Sequence, residues 1–410
     1  MDPICWKASV PAKDIKERII AKKRHRRVYG GLASNLATPA GLRLNERVDA
    51  NTPGQHYAGM AYRVIQWATG GVGRASIEGI LSHPELELVG CWVHTTEKVG
   101  KDAGELCGMA ALGVVATNDI EEILALEADC VMYSPIMPDR EIVRRILESG
   151  KNVVTPLGWF YPETKDVTDL EEACQKNQVT LHGTGIHPGG ITERFPLMVS
   201  ALSRDITHVR AEEFSDIRTY AAPFVVGDIM GFGKTPQETA SSPMLDMMAG
   251  GFIQSINMIG DALGFVLDEK KKTTHEMAVA TKSIDSPIGT IEPGLVAAQR
   301  YTWEGTVDGE PVISVRTNWF MGEEGLDPAW SFGSGGERFE VEVTGDPSSK
   351  VTFHGWHPES IESGLKRNPG IVATAIHGVS AIPYVCQAAP GIRSYLDLPL
   401  VTGRAGRPSH

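Results

Sequence analysis

The stretch Ala68-Thr69-Gly70-Gly71-Val72-Gly73-Arg74 has the spacing with which a chain wraps a pyrophosphate. Against G-x-G-x-x-G it supplies the second and third glycines, Gly70 and Gly73, and puts Ala68 at the first. The middle position must be small so that backbone can approach phosphate, and the third lets a helix pack closely on a strand. Phosphate oxygens then rest on the free N–H groups of the helix start, where the dipole favours an anion. Ala68, Thr69, Gly70, Gly71, Val72 and Gly73 are therefore the expected cofactor-binding residues. An acidic residue at the end of the second strand would bind the adenosine ribose and select NAD. Val93 stands there instead, followed by His94-Thr95-Thr96-Glu97-Lys98. With no carboxylate to repel a 2′-phosphate, His94, Thr95, Thr96 and Lys98 can donate to one. NADP is the expected cofactor. NAD is the other choice, because no Arg clinches the phosphate contact and Glu97 could reach the ribose.

Hydride transfer needs a substrate carbon held against the nicotinamide and a group that protonates the nascent amine or alkoxide. His187, after the turn Gly183-Thr184-Gly185 and before Pro188-Gly189-Gly190, is the first candidate, since an imidazole titrates near neutrality. Tyr161 is the second, as a phenol in a dry pocket. Glu193 is the third, although an acidic residue there also suits a helix start through the dipole. Trp159 and Phe160 offer an apolar wall for a substrate with a hydrophobic part. Asp216 and Arg218 either orient a polar group or face solvent. His354 and His357 lack a third ligand nearby, so no metal is expected.

The elements that must position these residues follow a simple rhythm. Strands are expected at residues 62–67, 86–93, 114–116, 129–133, 152–154 and 179–182, with helices at 72–82, 119–127, 139–149 and 166–177. Such alternation is α/β: a doubly wound parallel Rossmann sheet with helices on both faces. After about residue 205 the pattern turns to long β-rich stretches (209–217, 295–306, 311–320, 338–343, 350–354), broken by one Met-rich helix near 243–264. This predicts an α+β second domain for substrate contacts and dimerisation. A last helix, 371–388, should pack back on the first domain. The expected division is a Rossmann domain at 60–205, the second domain at 206–368 and the returning helix at 369–403.

The net charge of -12 argues against a nucleic-acid partner, since phosphate contacts need basic surface. Residues 1–59 run the other way, with 11 Lys and Arg against 5 Asp and Glu. They read as a disordered basic extension, with Met60 as the natural start. No uninterrupted apolar run reaches about 18 residues, so no membrane span is expected. The six cysteines show no C-x-x-C and fit a reducing cytoplasm.

Residues 62–154, with Gly70-Gly71-Val72-Gly73, His83-Pro84-Glu85-Leu86-Glu87-Leu88-Val89-Gly90 and Val99-Gly100-Lys101-Asp102-Ala103-Gly104-Glu105-Leu106, resemble the dihydrodipicolinate reductase N-terminal domain. Within that family the chain is similar to the branch of diaminopentanoate dehydrogenase and the native amine dehydrogenases. The likeness extends through residues 183–189, and through Ala381-Ile382-Pro383-Tyr384 with Pro390-Gly391-Ile392. The resemblance implies a homodimer and reversible hydride transfer between NAD(P) and a small amine, imine or carbonyl substrate. One departure stands out. Amine-converting relatives carry a catalytic acid in a Cys-Glu-Glu-like stretch after the fifth strand, whereas residues 153–162 here hold no carboxylate. The paired His and downstream Lys of the reductases are also absent. A non-catalytic NADP-binding regulatory protein is the alternative, though a large second domain and an aromatic wall favour an enzyme.

Overall fold

The computed structural model describes residues 61–405 except 221, 243, 334–335 and 355–367. The basic extension, Met60 and His357 lie outside the described residues.

The first sheet is built from β1 (Tyr62–Trp67), β2 (Leu86–Trp92), β3 (Ala116–Thr117), β4 (Cys130–Tyr133), β5 (Asn152–Thr155) and β6 (Thr180–Gly183), all parallel. Every residue of β4 is buried, as expected of a strand covered by helices on both faces. Its partners are α1 (Gly71–Ser82), α2 (Ile120–Ala125), α3 (Arg140–Glu148) and α4 (Thr168–Asn177). Asp119 and Asp139 start α2 and α3 by accepting backbone N–H bonds with their carboxylates. Strand β1 lies between β4 and β2. The order of the chain reverses there, and such a switch point opens a crevice above the strand ends.

Beyond β6 a π-helical turn, Gly190–Arg194, runs into α5 (Phe195–Ser200) and then into β7 (Arg204–Asp216). Helix α6 (Met244–Leu263) follows, then β8 (Lys272–Ala280), the hairpin β9 (Ile284–Ser286) and β10 (Gly289–Ile291), β11 (Val296–Val307), β12 (Glu310–Phe320), β13 (Leu326–Asp327), β14 (Arg338–Asp346) and β15 (Ser349–Phe353). The second sheet has the order β13-β8-β11-β12-β7-β14-β15, antiparallel except between β7 and β12. Helix α6 buries Phe252, Ile256 and Ile259 against Trp303, Ile313 and Val315, each side chain contributing about 1.5–3 kcal/mol. Close seating needs Gly305, where a Cβ would stand 2.6 Å from Ile256. On the opposite face Arg210 pairs with Glu212, Glu340 and Glu342. Burial raises the pKa of Glu340, but Arg338, Arg210 and Lys350 outweigh it and hold the carboxyl down to about 2.

Helix α7 (Pro369–Cys386) returns to the first sheet and packs on α1 and β5. A Cβ on Gly79 would meet Ile376 of α7 at 2.6 Å. With 18 residues and a mean hydropathy of 1.3, α7 is long and apolar enough to cross a membrane by length and composition only. Its buried residues, Ala375, Gly378, Val379 and Ile382 among them, face the protein core. The chain then adds β16 (Gly391–Ile392) parallel to β6.

Several elements depart from the sequence reading. Strand β3 has two residues, residues 217–219 form a 3-10 turn rather than the end of a strand, and β8, the hairpin and β16 are additions to the expected elements. The first half of β8, Lys-Thr-Thr-His-Glu, is polar and mostly exposed, so it lacks the apolar run of a core strand.

Candidate active site

Helix α1 follows Gly70, which offers no side chain to cap it, and has no acidic residue in its first turn. Its first N–H groups therefore have no side-chain partner among the described residues. A Cβ on Gly70 would meet nothing within 4 Å, while one on Gly73 would lie 2.1 Å from the Ala68 carbonyl oxygen. The loop is thus open where a diphosphate would lie and closed where helix meets strand, and these residues fit a dinucleotide. The Lys98 ammonium returns to this loop and donates to the Thr69 hydroxyl at 3.1 Å. His94, Thr95 and Thr96 are exposed after the buried Val93, and the His94 ring stands edge-on to Trp92.

The loop after β5 leans onto β6. A Cβ on Gly183 would lie 2.1 Å from the Gly158 carbonyl oxygen, so only glycine accepts this contact. Trp159 is held at φ 56° and turns to the Rossmann core, while Phe160 is buried near Pro188 and Gly251 of α6. The two rings expected to form one wall thus point to different neighbours. Tyr161 follows a third direction. Its N–H donates to Gln254 and its hydroxyl to Asp261 at 3.0 Å, both on α6. Burial, with the Asp261 carboxylate second, pushes the phenol up to about 12.

The chain leaves β6 through a tight turn in which Gly190 and Ile191 donate to the carbonyls of Gly185 and Ile186. Gly189, at φ 131°, has no room for a side chain, since a Cβ would sit 2.1 Å from the Gly185 carbonyl oxygen. This turn sends His187 inward between Phe252 and Phe339, with Nε2 3.9 Å from a Glu213 carboxylate oxygen. Burial pushes the imidazole down to about 3. The near-neutral titration expected of His187 is corrected by this desolvation, and the ring is neutral at physiological pH.

Glu193 lies in the π-helical turn and is fully buried. Ser255 of α6 donates to its Oε1 at 2.5 Å, and its Oε2 has no hydrogen-bond partner among the described residues. Burial pushes this carboxyl up to about 8, so it is protonated at neutrality. That corrects the dipole reading, because a neutral acid offers no charge to a helix start. A group with such a value gives and takes a proton readily near pH 7–8.

Beside it, the half-buried Tyr395 bonds to Thr184 through its hydroxyl, and His377 of α7 bonds the Gly185 carbonyl through Nδ1 at 2.6 Å. The Arg194 guanidinium lies 3.1 Å from His377 Nε2, so the carbonyl and the cation together fix the Nδ1–H tautomer. Sequence reasoning missed Ser255, Tyr395 and His377, since only the folded chain brings them to the turn. Asp216 and Arg218 pair with each other at the end of β7. Among the described residues no group of three His, Cys, Asp or Glu is placed to hold a metal ion.

A parallel sheet with an open glycine loop at its switch point, joined to a second mixed sheet, is the architecture of a dinucleotide-binding protein. Its family is shown by comparison. The model described as "2,4-diaminopentanoate dehydrogenase C-terminal domain" matches residues 191–408, and that of "Dihydrodipicolinate reductase, N-terminus" matches residues 64–181. The chain belongs to this diaminopentanoate dehydrogenase family and is an NAD(P)-dependent oxidoreductase. An amine dehydrogenase of Streptomyces virginiae is 33% identical over 369 residues, covering 84% of this chain and 98% of that protein. The 2,4-diaminopentanoate dehydrogenase of Acetoanaerobium sticklandii is 24% identical over 358 residues, covering 82% and 93%. The solved amine dehydrogenase of Mycobacterium smegmatis shares the fold, with a TM-score of 0.69 at 20% identity, covering 85% of this chain and 99% of that one. The comparisons give no support to a non-catalytic protein.

Proposed function

We propose that this enzyme interconverts a small primary amine and its imine or carbonyl counterpart, with Glu193 as the acid–base group. The observation that carries this reading is the buried Glu193 carboxyl, pushed up to about 8 and left with an unpartnered oxygen. It supplies an acid where the sequence lacks the carboxylate expected after β5. The dinucleotide provides or accepts the hydride. On the protein side, the Ser255 bond orients the carboxyl, which is fully buried. His187 and Tyr161 are second and third candidates for the same proton. NADP is the proposed cofactor, on the strength of Val93 in place of an acid and of Lys98 against the phosphate loop. Phe160 is the proposed apolar side of the substrate space, while Trp159 packs away from it on the Rossmann core. A homodimer through the second sheet belongs to the same proposal, on the family resemblance, and the free cysteines among the described residues suit the cytoplasm.

Oxidation of NADPH and NADH by the purified protein, against small aldehydes and ketones with and without ammonia, tests the reaction. Turnover that needs ammonia supports it. Turnover that ignores ammonia reassigns the enzyme as a carbonyl reductase, and a fully active Glu193→Gln removes Glu193 from the chemistry.

A further inference from the structure

The first position of the glycine motif is filled by Ala68, yet Ala68 has φ 74°. That left-handed region costs a residue with a Cβ about 1–2 kcal/mol. Something must hold it there, and the structure assigns that task to Gln66. Gln66 is fully buried on β1 directly beneath the loop. Its Nε2 donates to the Ala68 carbonyl at 2.9 Å and lies 3.1 Å from the Trp67 carbonyl. These two carbonyls belong to the peptide planes on either side of Ala68. One amide therefore pins both planes, and with them both backbone dihedrals of Ala68. The same Nε2 lies 2.9 Å from the Ser134 hydroxyl at the end of β4, and Ser134 in turn donates to the Trp67 carbonyl through its N–H and its hydroxyl. The clamp thus spans β1 and β4, the two strands that flank the switch point.

Ala68's conformation matters beyond its own turn. Its carbonyl oxygen occupies the space that a side chain on Gly73 would need. If Ala68 relaxed to negative φ, this carbonyl would swing away and the start of α1 would lose its seat on β1. Gln66 and Ser134 are positioning residues for the dinucleotide: with Ala68 they do what a glycine would do by conformational freedom alone. A buried polar side chain in a parallel strand is otherwise a net cost; the clamp gives Nε2 its partners, while Oε1 is buried with none among the described residues.

This inference rests on the dinucleotide reading of the loop, and the experiment separates the two. Fluorescence titration of NADPH onto the purified full chain gives dissociation constants for the unaltered protein, Gln66→Leu, Ser134→Ala, Ala68→Gly and the two double variants. Gln66→Leu is expected to weaken binding about tenfold and Ser134→Ala about threefold, tenfold being 1.4 kcal/mol. In the Ala68→Gly background both losses should shrink to within about twofold, because glycine needs no clamp. A purely structural role for Gln66 predicts equal losses with and without the Ala68→Gly substitution, and that additivity would overturn the inference. So would unchanged binding in Gln66→Leu. If Gln66→Leu does not fold, the Ser134→Ala pair decides alone. Failure of the unaltered protein to bind NADPH or NADH would instead remove the dinucleotide reading itself.

Discussion

Glu193→Gln should make the enzyme more stable at alkaline pH while stopping its chemistry. Glutamine keeps the shape of the protonated acid and still accepts the Ser255 bond, but it cannot ionise. In the folded chain the Glu193 carboxyl holds its proton up to about 8, against an ordinary value of 4.5. Between those two values the folded state binds a proton that the unfolded state releases. Stability from this group is therefore full below pH 4.5 and is lost as pH rises through 8. The slope is about 1.4 kcal/mol per pH unit and the whole span comes to about 5 kcal/mol. Urea unfolding of both proteins at pH 5, 6, 7 and 8 reads this directly. The two should be nearly equally stable at pH 5, and the variant should lead by several kcal/mol at pH 8. Turnover at pH 7 should fall by about 10²–10⁴-fold if the proton passes through this carboxyl. Parallel stability curves would show that Glu193 titrates normally and would refute the reasoning.

Three other outcomes follow from the same geometry. Gly73→Ala drives a methyl into the Ala68 carbonyl, 2.1 Å away, and should abolish NADPH binding measured by calorimetry. Lys98→Ala should weaken NADPH about tenfold while leaving NADH nearly unchanged, provided the ammonium meets a 2′-phosphate; equal losses for both would remove it from cofactor choice. His187 should stay neutral through pH 5 in an NMR titration, with burial holding its pKa at about 3, and an imidazole titrating near 6.5 would contradict its placement between Phe252 and Phe339.

The Rossmann half is legible in the sequence because its strands are covered on both faces. Segments such as Cys130–Tyr133 are continuous apolar runs, and Asp119 and Asp139 mark helix starts one after another. Strand β8 is not legible because its outer residues are polar and its pairing with β11, not its composition, makes it a strand. Glu193 is found by type and misread by environment. Its burial depends on Ser255, 62 residues away on α6, and local sequence carries no trace of that neighbour. Gln66 is hidden for a related reason. Alternation reads a polar residue in a strand as facing solvent, whereas a parallel strand covered on both sides has no solvent face.

The closure of the first sheet by β16 and of α1 by α7 has a consequence for synthesis. Chains emerge from the ribosome in order, and domains commonly fold as they appear. Here the cofactor half begins at β1, yet the helix over α1 and the strand beside β6 are translated only after the whole second sheet. A nascent chain that ends before residue 369 carries an uncovered α1 face and an unpaired β6 edge throughout production of the second sheet. The nucleotide-binding half thus matures only after the second sheet has been made, and a truncation before residue 369 damages a half that begins at β1.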